Sequence, residues 1–150
     1  EFLVEVKELM DDHIEKNNLY AASIVCFLYS YVSYIFCNFD FAKELIEMRW
    51  TFEKTLYRPY RAYCTTFFFD SLISIAFARK TKQYIWTKYA LENLEKTKHA
   101  SHNYRHRVLL LEAEIHTLLG KTDNAVSNYD EAIASAQESG YINEQAIANE

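Results

Sequence analysis

Three histidines, His99, His102 and His106, lie close together near the middle of the chain, so they come first in a search for chemistry. His102 and His106 are four apart, a spacing that puts two imidazoles on one helical face and suits a divalent metal. No carboxylate or cysteine sits at a supporting distance, and His99 and His102 fall in a polar stretch that reads as a loop. A solvated basic loop is therefore the preferred reading, and no metal is expected. Glu112 and Glu114, two residues apart on a helix, point to different faces and make a poor general acid/base pair. Asp70 follows Phe67, Phe68 and Phe69 and is expected to hydrogen-bond a neighbouring helix end. His116 reads as a core or groove-lining residue. Phosphate-binding and dinucleotide-binding loops are built on glycine, and the chain has only two. Kinase signatures are missing as well. No catalytic residue and no cofactor is expected, so the chain should work through contact.

The elements that position these residues are helices. Half of the 150 residues are apolar and 16% are aromatic, which gives ample material for a core, while two glycines and one proline leave little for tight β-turns. Leu3, Val6, Met10 and Ile14 set a helix over 2–16, broken at Asn17-Asn18. A second helix is expected over 19–37 and a third from Asp40, a candidate N-cap, to about Thr55. Pro59 marks a boundary. Helices then follow over about 62–79, 82–98, 104–119 and 123–138, with Gly120 and Gly140 as caps. The residues from Asn143 on read as the opening of another helix, and the chain reads as part of a longer protein. Cys26, Cys37 and Cys64 are an odd set. The first two, placed on one helix, would lie roughly 16 Å apart at 1.5 Å per residue, too far for a disulfide. Buried, reduced thiols of a cytosolic protein are expected.

From Asn17 to Phe39 there is no charge, which raises the question of a membrane span. Ser23, Ser30 and Ser33 run through the middle of this stretch, and their hydroxyls find partners more readily in a protein interior than among lipid tails. A buried helix is preferred, with a membrane-anchored protein as the remaining alternative. The net charge of −5 argues against nucleic acid. Arg79, Lys80, Lys82, Lys96, Lys98, Arg105 and Arg107 make the middle locally basic, as a solvated face or, less often, a surface for an anionic partner.

Short connections between helices of about fifteen residues give antiparallel hairpins, and their repetition suggests an α-solenoid. From His106 the spacing matches a TPR unit: Ala113 at the close contact of the first helix, Gly120 at the turn, then Ala125, the packing aromatic Tyr129, and Ala132. A weaker echo aligns Ser30, Ala42 and Ile46 with Ala113, Ala125 and Tyr129, while the middle pair shows no readable consensus. The expected fold is all-α, a single TPR-like region of stacked helical hairpins over 1–150. The groove positions of the sixth helix are Arg107, Leu110, Leu111 and Glu114, where Glu114 disfavours a peptide carboxylate. Those of the second helix are Ile24, Phe27, Tyr31 and Tyr34, covered either by the first helix or by a partner. Tyr31, Tyr34, Arg107 and Glu114 are the candidate partner contacts.

The stretch Asn124-Ala-Val-Ser-Asn-Tyr-Asp-Glu-Ala-Ile133 with Gly140-Tyr-Ile-Asn-Glu-Gln-Ala-Ile-Ala-Asn-Glu150 resembles the TPR-like region of very large hybrid sensor histidine kinases. Asn103-Tyr-Arg-His-Arg107, Leu111-Glu-Ala-Glu114 and Phe68-Phe-Asp-Ser-Leu72 are similar to stretches of the same region. In that family a Ser/Thr-kinase-like domain and an AAA-type NTPase module precede the helical region, and a GAF domain and histidine kinase core follow. The resemblance implies a cytoplasmic, non-catalytic element that couples neighbouring domains in two-component phosphorelay signalling. Its partners would be proteins, most simply neighbouring domains of the same chain. The alternative is the TPR-like sensor arm of an NTPase-linked transcriptional regulator.

Overall fold

A computed structural model describes residues 2–56, 60–98 and 104–149, leaving aside the side chains of residues 2–3 and 60–63. The described residues are all-α, with α1 (Phe2–Glu15), α2 (Leu19–Ile35), α3 (Phe39–Glu53), α4 (Tyr60–Thr81), α5 (Tyr84–Lys98), α6 (Arg105–Leu118), α7 (Thr122–Glu138) and α8 (Ile142–Asn149). Sequence-adjacent helices pack together within α1–α3 and within α4–α8, and α6 also touches α4. The chain divides after Pro59 into two compact units, α1–α3 and α4–α8.

In the first unit Val6 and Met10 of α1 pack against Ala22 and Cys26 of α2 and Phe41, Leu45 and Phe52 of α3. The Cys26 thiol lies 3.3 Å from the Met10 thioether. The buried face of α2 is small and hydroxylated, with Ala22, Ser23, Cys26, Ser30 and Ser33 turned inward. Two of the hydroxyls are satisfied inside the unit: Ser30 donates to the Phe27 carbonyl at 2.8 Å and Ser23 to the Glu53 carboxylate at 2.6 Å. Among the described residues no helix is long and apolar enough to cross a membrane.

Four corners share one hydrogen-bonding device. The amide three residues beyond each helix end bonds back to a carbonyl five residues earlier: Asn18 to His13, Asn38 to Ser33 and Lys121 to His116 at 2.8 Å, Tyr141 to Ala136 at 2.9 Å. This is the Schellman closure, which needs a left-handed residue in between. Asn17 (φ 53°), Cys37 (φ 56°), Gly120 (φ 72°) and Gly140 (φ 76°) fill that place. The two glycines adopt it without Cβ strain, as expected, whereas Cys37 bears it with a side chain.

Two expectations are corrected here. Cys37 does not sit on the second helix and is not buried; α2 ends at Ile35, and Cys37 is exposed in the corner because the chain must turn there. Asn38, not Asp40, occupies the cap position of α3, and Asp40 lies inside the first turn.

The crossings repeat. Ala113, Ala125 and Ala132 are 0%, 4% and 1% exposed, so the backbones of α6 and α7 nest at those points. Ser30, Ala42 and Ile46 are all at 0% in α2 and α3. The middle pair obeys the same twelve-and-four spacing through Ala78, Ala90 and Leu94, all buried, with Thr97 buried where Ala132 stands. One geometric rule therefore builds α2–α3, α4–α5 and α6–α7.

Candidate functional site

The surface expected to meet a partner in the first unit is the outer face of α2. With Ala22, Cys26, Ser30 and Ser33 turned inward, the 3.6-residue period turns Tyr20, Ile24, Leu28 and Ile35 outward. They are 57%, 38%, 51% and 45% exposed, and Phe36, just past the helix end, is 79% exposed. Phe27, Tyr31 and Tyr34 border this strip half-buried. The Tyr34 ring tilts against Phe39 of α3, with centroids 5.9 Å apart. α1 packs over the opposite, serine-bearing side through Val6 and Met10, so within this unit it leaves Ile24 and Leu28 open. No charged group occurs on α2, so the strip offers shape and apolar area alone.

In the second unit α6 carries the other two candidates, and both are committed within the unit. Arg107, at a groove position, is only 5% exposed. Its Nε donates to both Glu144 oxygens at 3.1 and 2.9 Å, and its Nη2 to Oε1 at 2.6 Å. Nη1 donates to the Thr65 hydroxyl at 2.8 Å. The guanidinium also lies 4.4 Å from the Tyr104 ring centroid and 5.4 Å from that of Phe68. Burial of this cation is tolerated because α4, α6 and α8 together surround it with acceptors and aromatic faces. Leu110 and Leu111, the neighbouring groove positions, are buried as well.

His106 is the functional-looking residue whose setting the sequence did not give. It is buried, stacks on Tyr141 at 4.5 Å between centroids, and its Nε2 lies 2.5 Å from Glu144 Oε2. Burial alone would raise the pKa of Glu144, but hydrogen bonds from His106 and Arg107 and their charge outweigh it and hold the carboxyl below its ordinary value. His106 thus sits on the sixth helix, as expected, and ties α6 to α8. His99 and His102 lie outside the described residues, and among those described no three His, Cys, Asp or Glu side chains could hold a metal ion.

Glu114 is similarly engaged. One carboxylate oxygen lies 2.7 Å from Arg79 Nη2 of α4, and the other accepts from the Tyr129 hydroxyl of α7 at 2.6 Å. Burial, then the bond to Glu114, pushes the Tyr129 phenol up. Glu112 pairs with Lys98 of α5 at 3.1 Å. Polar groups along α6 therefore reach α4, α5, α7 and α8. The Arg107–Glu144 tie was beyond reach of the sequence, since nothing local links residues 37 apart. The dipeptide His106-Arg107 one turn before a buried Leu110-Leu111 pair was the available signal that both faced inward.

No protein-family model, no curated protein and no solved structure matches this sequence.

Proposed function

We propose that this chain is a non-catalytic protein-interaction and signal-coupling module, and that it serves a large cytoplasmic hybrid sensor kinase of two-component phosphorelay signalling. The reading is supported by the helical hairpins and by the stretches Asn124–Ile133 and Gly140–Glu150, which resemble that family's TPR-like region. The single observation that carries the interaction role is the apolar strip of Ile24, Leu28, Ile35 and Phe36 on an uncharged helix. Contiguous exposed apolar surface of this kind marks contact sites more often than idle surface. Its partner is a protein face, most simply a neighbouring domain of the same polypeptide, and the net charge of −5 disfavours nucleic acid.

The test is capture of the purified GAF and histidine kinase segment of such a kinase by this chain and by a Leu28→Lys/Ile35→Lys variant. Both positions are exposed, so the variant keeps its helical circular-dichroism spectrum. Loss of capture supports the reading; undiminished capture, or tight binding of ATP to the chain itself, overturns it.

A further inference from the structure

The two sides of the Arg107–Glu144 contact are held very differently. The cationic side is built by α4 and α6 alone. Arg107 Nη1 donates to the Thr65 hydroxyl at 2.8 Å, and the Tyr104 and Phe68 rings lie against the guanidinium. These contacts aim Nε and Nη2, the two atoms that grip the carboxylate. His106 is buried beside them, and among the described residues its Nδ1 has no hydrogen-bond partner. Its imidazole bonds to the Glu144 carboxylate through Nε2. Arg107 Nε, Arg107 Nη2 and His106 Nε2 therefore converge on one point, which holds an anion.

The anionic side rides on α8, which is loosely held. Ala148 is the one buried residue of this eight-residue helix, and Ile142 in its first turn is 75% exposed. A cavity of about 350 Å³, lined by Gly140, Tyr141, Ile142, Asn143 and Glu144, opens beside that turn and reaches Glu144 itself. Elements that bury so little open most readily. When α8 swings out, Glu144 leaves with it, while Thr65, Phe68, Tyr104, His106 and Arg107 keep their places at α4 and α6. Arg107 then faces solvent without its counter-charge, its fork already set for two carboxylate oxygens.

We infer that Arg107 and His106 form a carboxylate-binding site, that Glu144 is its built-in competitor, and that an external carboxylate takes the place of Glu144 as α8 swings out. Thr65 and Tyr104 position the guanidinium and do not touch the ligand. The ligand is a small free carboxylate or an acidic side chain on a peptide, which offer the same two oxygens. Glu114 does not oppose it: that residue lies two turns along α6, roughly 10 Å at 1.5 Å per residue, and Arg79 neutralises it at 2.7 Å. Because Glu144 is tethered, a ligand of equal intrinsic affinity competes only above about the millimolar range, the effective concentration set by a short link. The site uses none of the α2 residues, so it stands independently of the strip on that helix.

The whole chain carrying Glu144→Ala tests this in sodium acetate against sodium chloride of matched ionic strength, near neutral pH. Acetate is expected to raise the thermal midpoint where chloride does not, and the rise is absent from Glu144→Ala/Arg107→Leu. A Glu144→Ala chain that is largely unfolded reports the same binding as a gain of helix on adding acetate. In the wild-type chain, acetate well above the millimolar range speeds amide exchange in α8 and leaves α6 unchanged. A labelled peptide with the sequence of residues 141–149 separates the two sources. Binding to Glu144→Ala at least about tenfold tighter than to wild type, and at least about tenfold weaker when the peptide carries Glu144→Gln, assigns the site to a peptide carboxylate. An acetate response without peptide binding assigns it to a small free carboxylate. The inference is overturned if acetate acts no differently from chloride, acts equally on the double variant or leaves exchange in wild-type α8 unchanged, or if the peptide binds equally well with Glu144→Gln.

Discussion

Arg107 and Glu144 form a three-contact clamp, with Nε on both carboxylate oxygens and Nη2 on one, at 2.6 to 3.1 Å. The clamp joins α6 to the short helix α8, whose one buried residue is Ala148. An eight-residue helix with so little apolar burial is marginal by itself, so its place in the unit depends on this ion pair.

Removing Glu144 should therefore cost more than its modest size suggests. Glu144→Ala leaves a buried guanidinium without its counter-charge, and a loss of about 3–5 kcal/mol is expected. Pairing it with Arg107→Leu should recover most of that loss, because the unpaired cation is then gone. Urea unfolding of the two single variants and the double variant measures the difference.

Acid should undo the same clamp. The folded carboxyl titrates below its ordinary value of 4.5, so its contribution is complete above that pH and is lost as the pH falls through the lower folded value. On acidification below about pH 4.5 the wild-type urea midpoint should drop faster than that of Glu144→Gln, the two curves converging at the acid end. Parallel curves would show that Glu144 is not the group responsible.

The corners offer opposite substitutions with opposite signs. Cys37→Gly relieves a left-handed residue of its Cβ and should stabilise by about 0.5–1 kcal/mol, after allowing for the extra freedom of glycine in the unfolded chain. Gly120→Ala should destabilise by about 1 kcal/mol. An added Cβ there meets nothing within 4 Å, so the cost is backbone strain alone. Thermal unfolding reports both.

At the crossings size is the sensitive variable. Ala90→Leu and Ala113→Leu should each cost about 1–3 kcal/mol, since both sites are at 0% exposure and the opposing backbone has nowhere to go. Ser127→Leu, on the exposed side of α7, serves as the control and should change stability by less than about 0.5 kcal/mol.

Helix existence was legible because it depends on local quantities. Periodic apolar residues, Asn17-Asn18, Gly120 and Gly140 fix where helices start and stop, and the observed ends differ from the expected ones by about two residues. The repeat was legible where alanine stands at its positions, in α6 and α7, and was missed in α4 and α5. There Ala78, Ala90, Leu94 and Thr97 keep the spacing, but Leu94 replaces the aromatic and Thr97 the final alanine. Side-chain pairing was legible hardly at all. A groove position such as Arg107 looks open in a list of residues, and only the arrival of Glu144 from a later helix closes it. The charge on Glu114 was readable, but its neutralisation by Arg79 and Tyr129 depends on three helices meeting.

Because α4 to α8 mostly touch helices one or two places away in the chain, folding of this unit closes only short loops. Low contact order of that kind goes with collapse in microseconds to milliseconds. It also means that opening can begin at one end without loosening the rest, so amide protons of α8 should exchange first and those of α6, braced on all sides, last.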